Sequence, residues 1–161
     1  GFAGSFLILV RALTYIRSLG AEGLRELSEV AVLYANLIRH RLRDAYHLKY
    51  DAPSLHEVVF DDSFQAARDV HNIDIAKRLL DYGFHPPTMS FPLIVHGALM
   101  IEPTESPSPE EVTAFCDAML EIAREVERDP ELVKTAPHDM PVRRVDEVRA
   151  AKALKVRWRP E

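Results

Sequence analysis

The chain of 161 residues is long enough for one domain with a buried core, or for one domain and a piece of another. Its apolar content of 47% and charged content of 28% are typical of a globular protein and argue against a fibrous or disordered chain. The net charge of −5 argues against nucleic acid as a partner, because nucleic-acid-binding proteins present a basic surface.

Cysteine content and apolar runs indicate the cellular setting. Cys116 is the only cysteine, so no disulfide can form within the chain, which favours a reducing compartment. We expect the cytoplasm, with the mitochondrial matrix as the alternative. The apolar run over residues 6–10 ends at Arg11, far short of the ~20 residues of a membrane span, so no membrane partner is expected. The start at Gly1, without Met, indicates a fragment or a processed product.

Two helices are predicted at the start of the chain. Apolar residues recur at helical spacing over residues 6–19, and Gly20 suits the left-handed conformation that ends many helices. A second helical pattern runs over residues 21–46, which is long for a globular helix. We therefore expect this second helix to link two domains.

Short strands and a helix are predicted in the middle of the chain. Residues 55–60 are rich in β-branched and aromatic side chains and predict a strand. Asn72 is expected to cap a helix that ends at Gly83. Two further short strands are predicted over residues 89–91 and 98–101.

The clearest helical pattern follows Ser108, which forms a predicted capping box with Glu111. Five apolar residues then repeat at intervals of three and four and predict the core face: Val112, Phe115, Met119, Ile122 and Val126. Asp129-Pro130 should end the helix, and residues 137–160 are expected to wrap a partner or another part of the protein. The order of elements predicts an α+β fold in which helices cover one face of a three-stranded sheet.

The segment Gly83-Phe-His-Pro-Pro-Thr-Met-Ser-Phe-Pro92 combines an imidazole and a hydroxyl with a rigid backbone. Pro86 and Pro87 fix the chain between His85 and Thr88, as in loops that present ligand-binding side chains. Histidine side chains titrate near neutral pH, so His85 is a candidate for proton transfer. The alternative is a histidine that only stabilises a turn.

A second polar cluster ends the segment Leu99-Met-Ile-Glu-Pro-Thr-Glu105. Glu102 and Thr104 are candidates for orienting a ligand at the mouth of a strand. The alternative is that Thr104 and Glu105 satisfy backbone donors in a strand-to-helix turn. We favour this structural role for Glu105 and leave both roles open for Glu102.

Other chemical motifs are incomplete. His40 and His47 share a helix face but lack a third ligand, and His56-Glu57 lacks the second histidine of a zinc helix motif, so no metal site is expected. Arg143-Arg144 is suited to gripping a carboxylate or phosphate, although surface ion pairs are the commoner role. The sequence contains no phosphate-binding glycine-rich loop, no dinucleotide fingerprint and no Gly-x-Ser-x-Gly elbow.

Together, the segments 83–92 and 99–105 resemble the C-terminal region of glycine dehydrogenase (decarboxylating), the P-protein of the glycine cleavage system. Further segments share the resemblance, which covers nearly the whole chain: residues 9–12, 15–17, 19–24, 74–80 and 136–138. Pro141-Val-Arg-Arg144 is similar to the second subunit of the family's two-subunit form.

The resemblance implies the fold-type I architecture, in which a large domain holds pyridoxal phosphate and a small C-terminal α+β domain closes over it. It also implies that the complete protein decarboxylates glycine and passes the aminomethyl group to the lipoyl group of H-protein. The cofactor lysine would lie upstream of Gly1, so this chain alone is expected to be inactive and to contain no catalytic residue. The implied partners are glycine, lipoylated H-protein and the other P-protein subunit or large domain, in an oligomer.

The resemblance divides the chain into the end of the large domain with the linker helix (residues 1–50), the small domain (51–130) and an extended tail (131–161). The expected substrate-side residues are His85 and Thr88, with Glu102 and Thr104 as supports. Two other functions stay open: a non-catalytic assembly module on the same scaffold, and the small domain of another fold-type I enzyme such as an aminotransferase.

Overall fold

A computed structural model describes residues 4–158, so Gly1 and the outermost residues of the two predicted terminal units lie outside the described residues. The first helix, α1, spans Phe6–Leu42 and bends at Gly20, whose φ of 65° and ψ of −173° are not helical. The two predicted helices are therefore present and meet at Gly20. In the described part of the chain, no helix is both long and apolar enough to cross a membrane.

The second helical segment ends at Leu42, whereas the sequence predicted that it would continue to residue 46. The chain turns there, and Tyr46 is fully buried beneath it. The Tyr46 hydroxyl donates a hydrogen bond to the carbonyl oxygen of Met119 at 2.8 Å. The prediction was wrong because helical spacing continues past Leu42 in the sequence, whereas tertiary packing draws Tyr46 into the core.

The remaining elements follow in chain order: β1 (Val58–Asp61), a 3₁₀ turn (Gln65–Arg68), α2 (Asn72–Asp81), β2 (Thr88–Met89), β3 (Ala98–Ile101), α3 (Pro109–Arg128), α4 (Pro130–Lys134) and α5 (Glu147–Lys152). The bounds of β3 agree with the prediction. The strand predicted over residues 55–60 begins only at Val58 and extends to Asp61, because it pairs with the four residues of β3, Ala98–Ile101. The strand predicted over residues 89–91 stops at Met89, because Ser90 has a φ of 58°.

The helix cap predicted at Asn72 lies one residue earlier. His71 has the extended backbone of an N-cap residue, and its amide donates to the carboxylate of Asp74 at 2.8 Å. The Asn72 side chain instead donates to the carbonyl oxygen of Ala98 and to the hydroxyl of Ser90, both at 3.1 Å. Asn72 therefore connects α2 to the first residue of β3 and to the loop that precedes it.

The sheet is antiparallel, with β3 between β1 and β2. Val58 pairs with Ile101 and Phe60 pairs with Leu99, and all four side chains are buried on one face. The α1, α2 and α3 helices cover this face, which confirms the predicted α+β fold with helices on one side.

The α3 helix begins as the sequence predicts. Ser108 accepts a hydrogen bond from the amide of Glu111, and the Glu111 carboxylate accepts one from the amide of Ser108. Four of the five predicted core residues are buried, but Phe115 is only half-buried. Cys116 occupies the core position instead, because the buried stripe of α3 passes one residue to the side of Phe115.

Polar contacts hold the chain after α3 against α2. The Asp81 carboxylate accepts hydrogen bonds from the amides of His138 and Asp139, at 2.7 and 3.0 Å. Arg144 donates to Asp74 at 2.6 Å. The tail therefore packs on the domain as far as Arg144, whereas α5 has no buried residues.

Candidate functional site

The two polar segments singled out in the sequence line one cavity of about 560 Å³. Residues 83–87 form one wall and part of the β3–α3 loop, residues 102–107, forms the other. Ile38 of α1 and the first half of α3 close the remaining side. Proline, aromatic and aliphatic side chains dominate the lining, so the cavity is mostly apolar with a few polar groups, as ligand sites commonly are.

The wall formed by residues 83–87 follows directly from the end of α2. Gly83 has a φ of 80°, which favours glycine, and its amide donates to the carbonyl oxygen of Leu80. The Phe84 ring packs edge-to-face on Phe115, with 5.5 Å between the ring centroids. Phe115 also lines the cavity, which explains why it is only half-buried. His85 follows Phe84 and is exposed at the cavity.

The opposite wall is a strained strand-to-helix turn. Ile101 is buried at the end of β3, and Thr104 has a φ of 61°, which is uncommon for a β-branched residue. The Thr104 hydroxyl accepts a hydrogen bond from the amide of Ser106 at 3.3 Å, the kind of structural role weighed in the sequence. Glu105 instead accepts a hydrogen bond from the Tyr15 hydroxyl at 2.5 Å. This bond lowers the pKa of the Glu105 carboxyl and raises the pKa of the Tyr15 phenol.

The cavity brings together two of the four residues predicted for the substrate side. His85 and Glu102 both line it. Thr88, the first residue of β2, and Thr104 are exposed and do not line it. The arrangement places an imidazole and a carboxylate on opposite loops around an apolar interior, which suits the binding of a small polar group.

Sequence reasoning missed a second imidazole near Glu102. The pairing of Val58 with Ile101 places Glu57 and Glu102 just beyond the paired ends of neighbouring strands. The His56 imidazole lies 4.0 Å from the carboxylates of both glutamates. The strand pairing that joins these residues was the missing signal, since His56-Glu57 was considered only as part of a helical zinc motif.

Pyridoxal phosphate does not fit the cavity of this chain alone. The cofactor needs a lysine for its aldehyde and cationic or amide donors for its phosphate. The residues that line the cavity in the described part of the chain include no lysine and no arginine, and they include two glutamates, Glu102 and Glu111. Among residues 4–158, no cluster of histidine, cysteine, aspartate or glutamate has the geometry of a metal site.

Comparisons with known proteins match most of the chain to one family. The family described as "Glycine dehydrogenase, C-terminal domain" matches residues 27–143, a range that contains both cavity loops. A solved structure, "Crystal structure of glycine decarboxylase (P-protein) of the glycine cleavage system, in inhibitor-bound form", superposes with a TM-score of 0.57. It is 22% identical and covers 68% of this chain and 24% of its own, so it supports the fold alone.

Three curated relatives carry the name "Probable glycine dehydrogenase (decarboxylating) subunit 2". The protein of Chlorobium phaeovibrioides is 54% identical over 96% of this chain, that of Pyrococcus horikoshii 51% over 97%, and that of Caldanaerobacter subterraneus subsp. tengcongensis 48% over 98%. The chain spans about a third of the length of these relatives, 32% in each case. The chain belongs to the glycine dehydrogenase C-terminal domain family.

Proposed function

We propose that this chain is the C-terminal part of subunit 2 of a two-subunit glycine dehydrogenase (decarboxylating). The complete protein would use pyridoxal phosphate to decarboxylate glycine and would pass the aminomethyl group to the lipoyl group of H-protein. The relatives named glycine dehydrogenase (decarboxylating) subunit 2, which are 48–54% identical over nearly the whole chain, carry this proposal, and the family match over residues 27–143 supports it.

The chain would act as the small domain that closes over a cofactor bound elsewhere in the protein. This role agrees with a cavity whose described lining residues include carboxylates but no lysine or arginine. We propose residues 1–50 as the end of the large domain with its linker helix, 51–130 as the small domain and 131–161 as the tail. The chain alone would then be inactive.

The first segment of α1 exposes an apolar surface that is suited to contact with another protein surface. Side chains on every side of the first segment of α1 are exposed, and Leu7 and Ile8 are 74% and 64% exposed. Contiguous apolar surface of this kind commonly marks an interface. We propose that the large domain or the other P-protein subunit covers it in an oligomer.

His85 and Glu102 would face the substrate. Pro86 and Pro87 hold His85 on a rigid loop, so its imidazole can donate or accept a hydrogen bond without reorganising the backbone. Glu102 places negative charge on the other wall. Thr88 and Thr104 would support these loops from outside the cavity.

The relatives come from bacteria and an archaeon, so we propose the cytoplasm as the location, with the mitochondrial matrix as the alternative.

The proposal is tested with the full-length subunit, its partner subunit and lipoylated H-protein. Absorbance should reveal protein-bound pyridoxal phosphate, and addition of glycine should change that spectrum. Carbon dioxide should be released only when H-protein is also present. This chain alone, mixed with pyridoxal phosphate, is the control and should give no glycine-dependent change. If the complete mixture also gives none, an assembly module becomes the better account; transamination without H-protein would indicate an aminotransferase.

A further inference from the structure

A side-chain hydrogen bond joins the first segment of α1 to the loop of residues 102–107. Tyr15 lies on that segment, 90 residues before Glu105 in the sequence. The Tyr15 hydroxyl donates to the Glu105 carboxylate at 2.5 Å, which is the short distance typical of a hydrogen bond to a charged acceptor. We call this contact the Tyr15–Glu105 clasp.

The clasp acts on the middle of a loop whose two ends are already fixed. Ile101 is buried at the end of β3, and the capping box of Ser108 and Glu111 fixes the start of α3. Between these points Thr104 has a positive φ, a conformation that surrounding contacts must maintain. Local bonding includes a long hydrogen bond from the amide of Ser106 to the Thr104 hydroxyl, at 3.3 Å.

Tyr15, the other partner of the clasp, lies on a helical segment whose direction differs from that of the rest of α1. The backbone of Gly20 departs from helical geometry, so the direction of residues 6–19 is set separately from that of residues 21–42. The clasp therefore relates the orientation of the first helical segment to the position of the loop that carries Glu102.

We propose that the Tyr15–Glu105 clasp positions residues 102–107, and with them Glu102, at the cavity. Tyr15 and Glu105 are positioning residues and touch no substrate themselves. The effect on turnover rests on the proposed function, whereas the effect on the order of the loop does not.

The test uses the full-length subunit assembled with its partner subunit. Tyr15→Phe removes only the hydroxyl, Glu105→Gln keeps a carbonyl acceptor, and Glu105→Ala removes the acceptor. Tyr50→Phe is the matched control, because Tyr50 is also exposed and lies away from the cavity lining. Hydrogen exchange is measured at the amides of Glu102, Thr104, Glu105 and Ser106, and kcat/KM for glycine is measured in parallel.

Tyr15→Phe should raise exchange in the loop and lower kcat/KM by about threefold to tenfold, the range expected for one exposed hydrogen bond. Exchange in β3 should not change. Glu105→Gln should lower kcat/KM less than Glu105→Ala does. The double variant Tyr15→Phe/Glu105→Ala should lower kcat/KM no more than Glu105→Ala alone. That non-additivity separates the clasp from two independent structural effects.

The proposal is overturned if Tyr15→Phe leaves hydrogen exchange in the loop unchanged. It is also overturned if exchange in the loop becomes faster while kcat/KM stays equal to that of the wild type. If the wild-type assembly shows no glycine turnover, the proposed function fails. Loop exchange then decides alone whether the clasp orders residues 102–107, since that measurement needs no activity.

Discussion

Replacement of Glu125 should destabilise the domain more than replacement of any exposed glutamate. Glu125 is 4% exposed on α3 and accepts two hydrogen bonds from the Arg78 guanidinium, at 2.9 and 2.8 Å. The Tyr82 hydroxyl donates a third bond, at 2.8 Å. Arg78 also donates to Asp81 at 2.9 Å, so one residue of α2 is bonded to two carboxylates in a mostly buried site.

The expected loss follows from what Glu125→Ala leaves behind. The Arg78 side chain is only 14% exposed and would keep its charge without its bidentate partner. Loss of one partner of a buried ion pair costs about 3–5 kcal/mol. Because Asp81 still accepts one hydrogen bond from Arg78, we expect the lower end of that range, about 3 kcal/mol.

Urea denaturation of the 161-residue chain measures this loss. Glu121→Ala is the matched control on the same helix, since Glu121 is 33% exposed and pairs with the exposed Arg124 and Arg128. The control should cost less than about 1 kcal/mol. The double replacement Arg78→Met/Glu125→Leu should recover part of the stability, because it removes the uncompensated charge of Arg78 but leaves the buried Asp81 carboxylate without that partner. A loss below about 1 kcal/mol for Glu125→Ala would refute the assignment of this network as a buried structural tie.

Three further outcomes are expected. Burial alone would raise the pKa of Glu125, but the hydrogen bonds from Arg78 and Tyr82 hold it below its ordinary value of 4.5. The ionised Glu125 should therefore stabilise the fold above that pH, and this stabilisation should be lost as pH falls through the lower folded pKa. Urea titrations at several pH values should show a weaker loss of stability in acid for Glu125→Gln than for the wild type. Burial raises the pKa of the Cys116 thiol to about 11, so thiol reagents at neutral pH should label it only after unfolding. Phe115→Ala should cost less than the roughly 2–5 kcal/mol expected for Met119→Ala in the same denaturation assay; equal losses would contradict the half-buried position of Phe115.

Local sequence signals were sufficient for several elements. The capping box at Ser108 and the breaker at Asp129-Pro130 fix α3, because both signals involve residues within one turn of the helix. Gly20 also marked a real break between helical segments. These features depend on backbone conformation near the residue itself, which a sequence pattern records directly.

Long-range packing determined the features that the sequence did not reveal. A repeat of three and four residues allows more than one buried stripe, and contact with the rest of the domain places Cys116 rather than Phe115 in the core. The proximity of His56 to Glu102 depends on the pairing of β1 with β3. Similarly, the Tyr15–Glu105 clasp joins residues far apart in the chain, and no local periodicity predicts such a contact.

Steady-state kinetics of His85→Ala in the full-length enzyme test the proposed site most directly. His96→Ala is the matched control, because His96 is exposed on the β2–β3 loop and does not line the cavity. If the cavity is the substrate side of a glycine dehydrogenase, His85→Ala should lower glycine decarboxylation while pyridoxal-phosphate binding and the fold stay intact, and His96→Ala should match the wild type. Unchanged kinetics in His85→Ala would remove His85 from the site and contradict the assignment of this cavity to substrate.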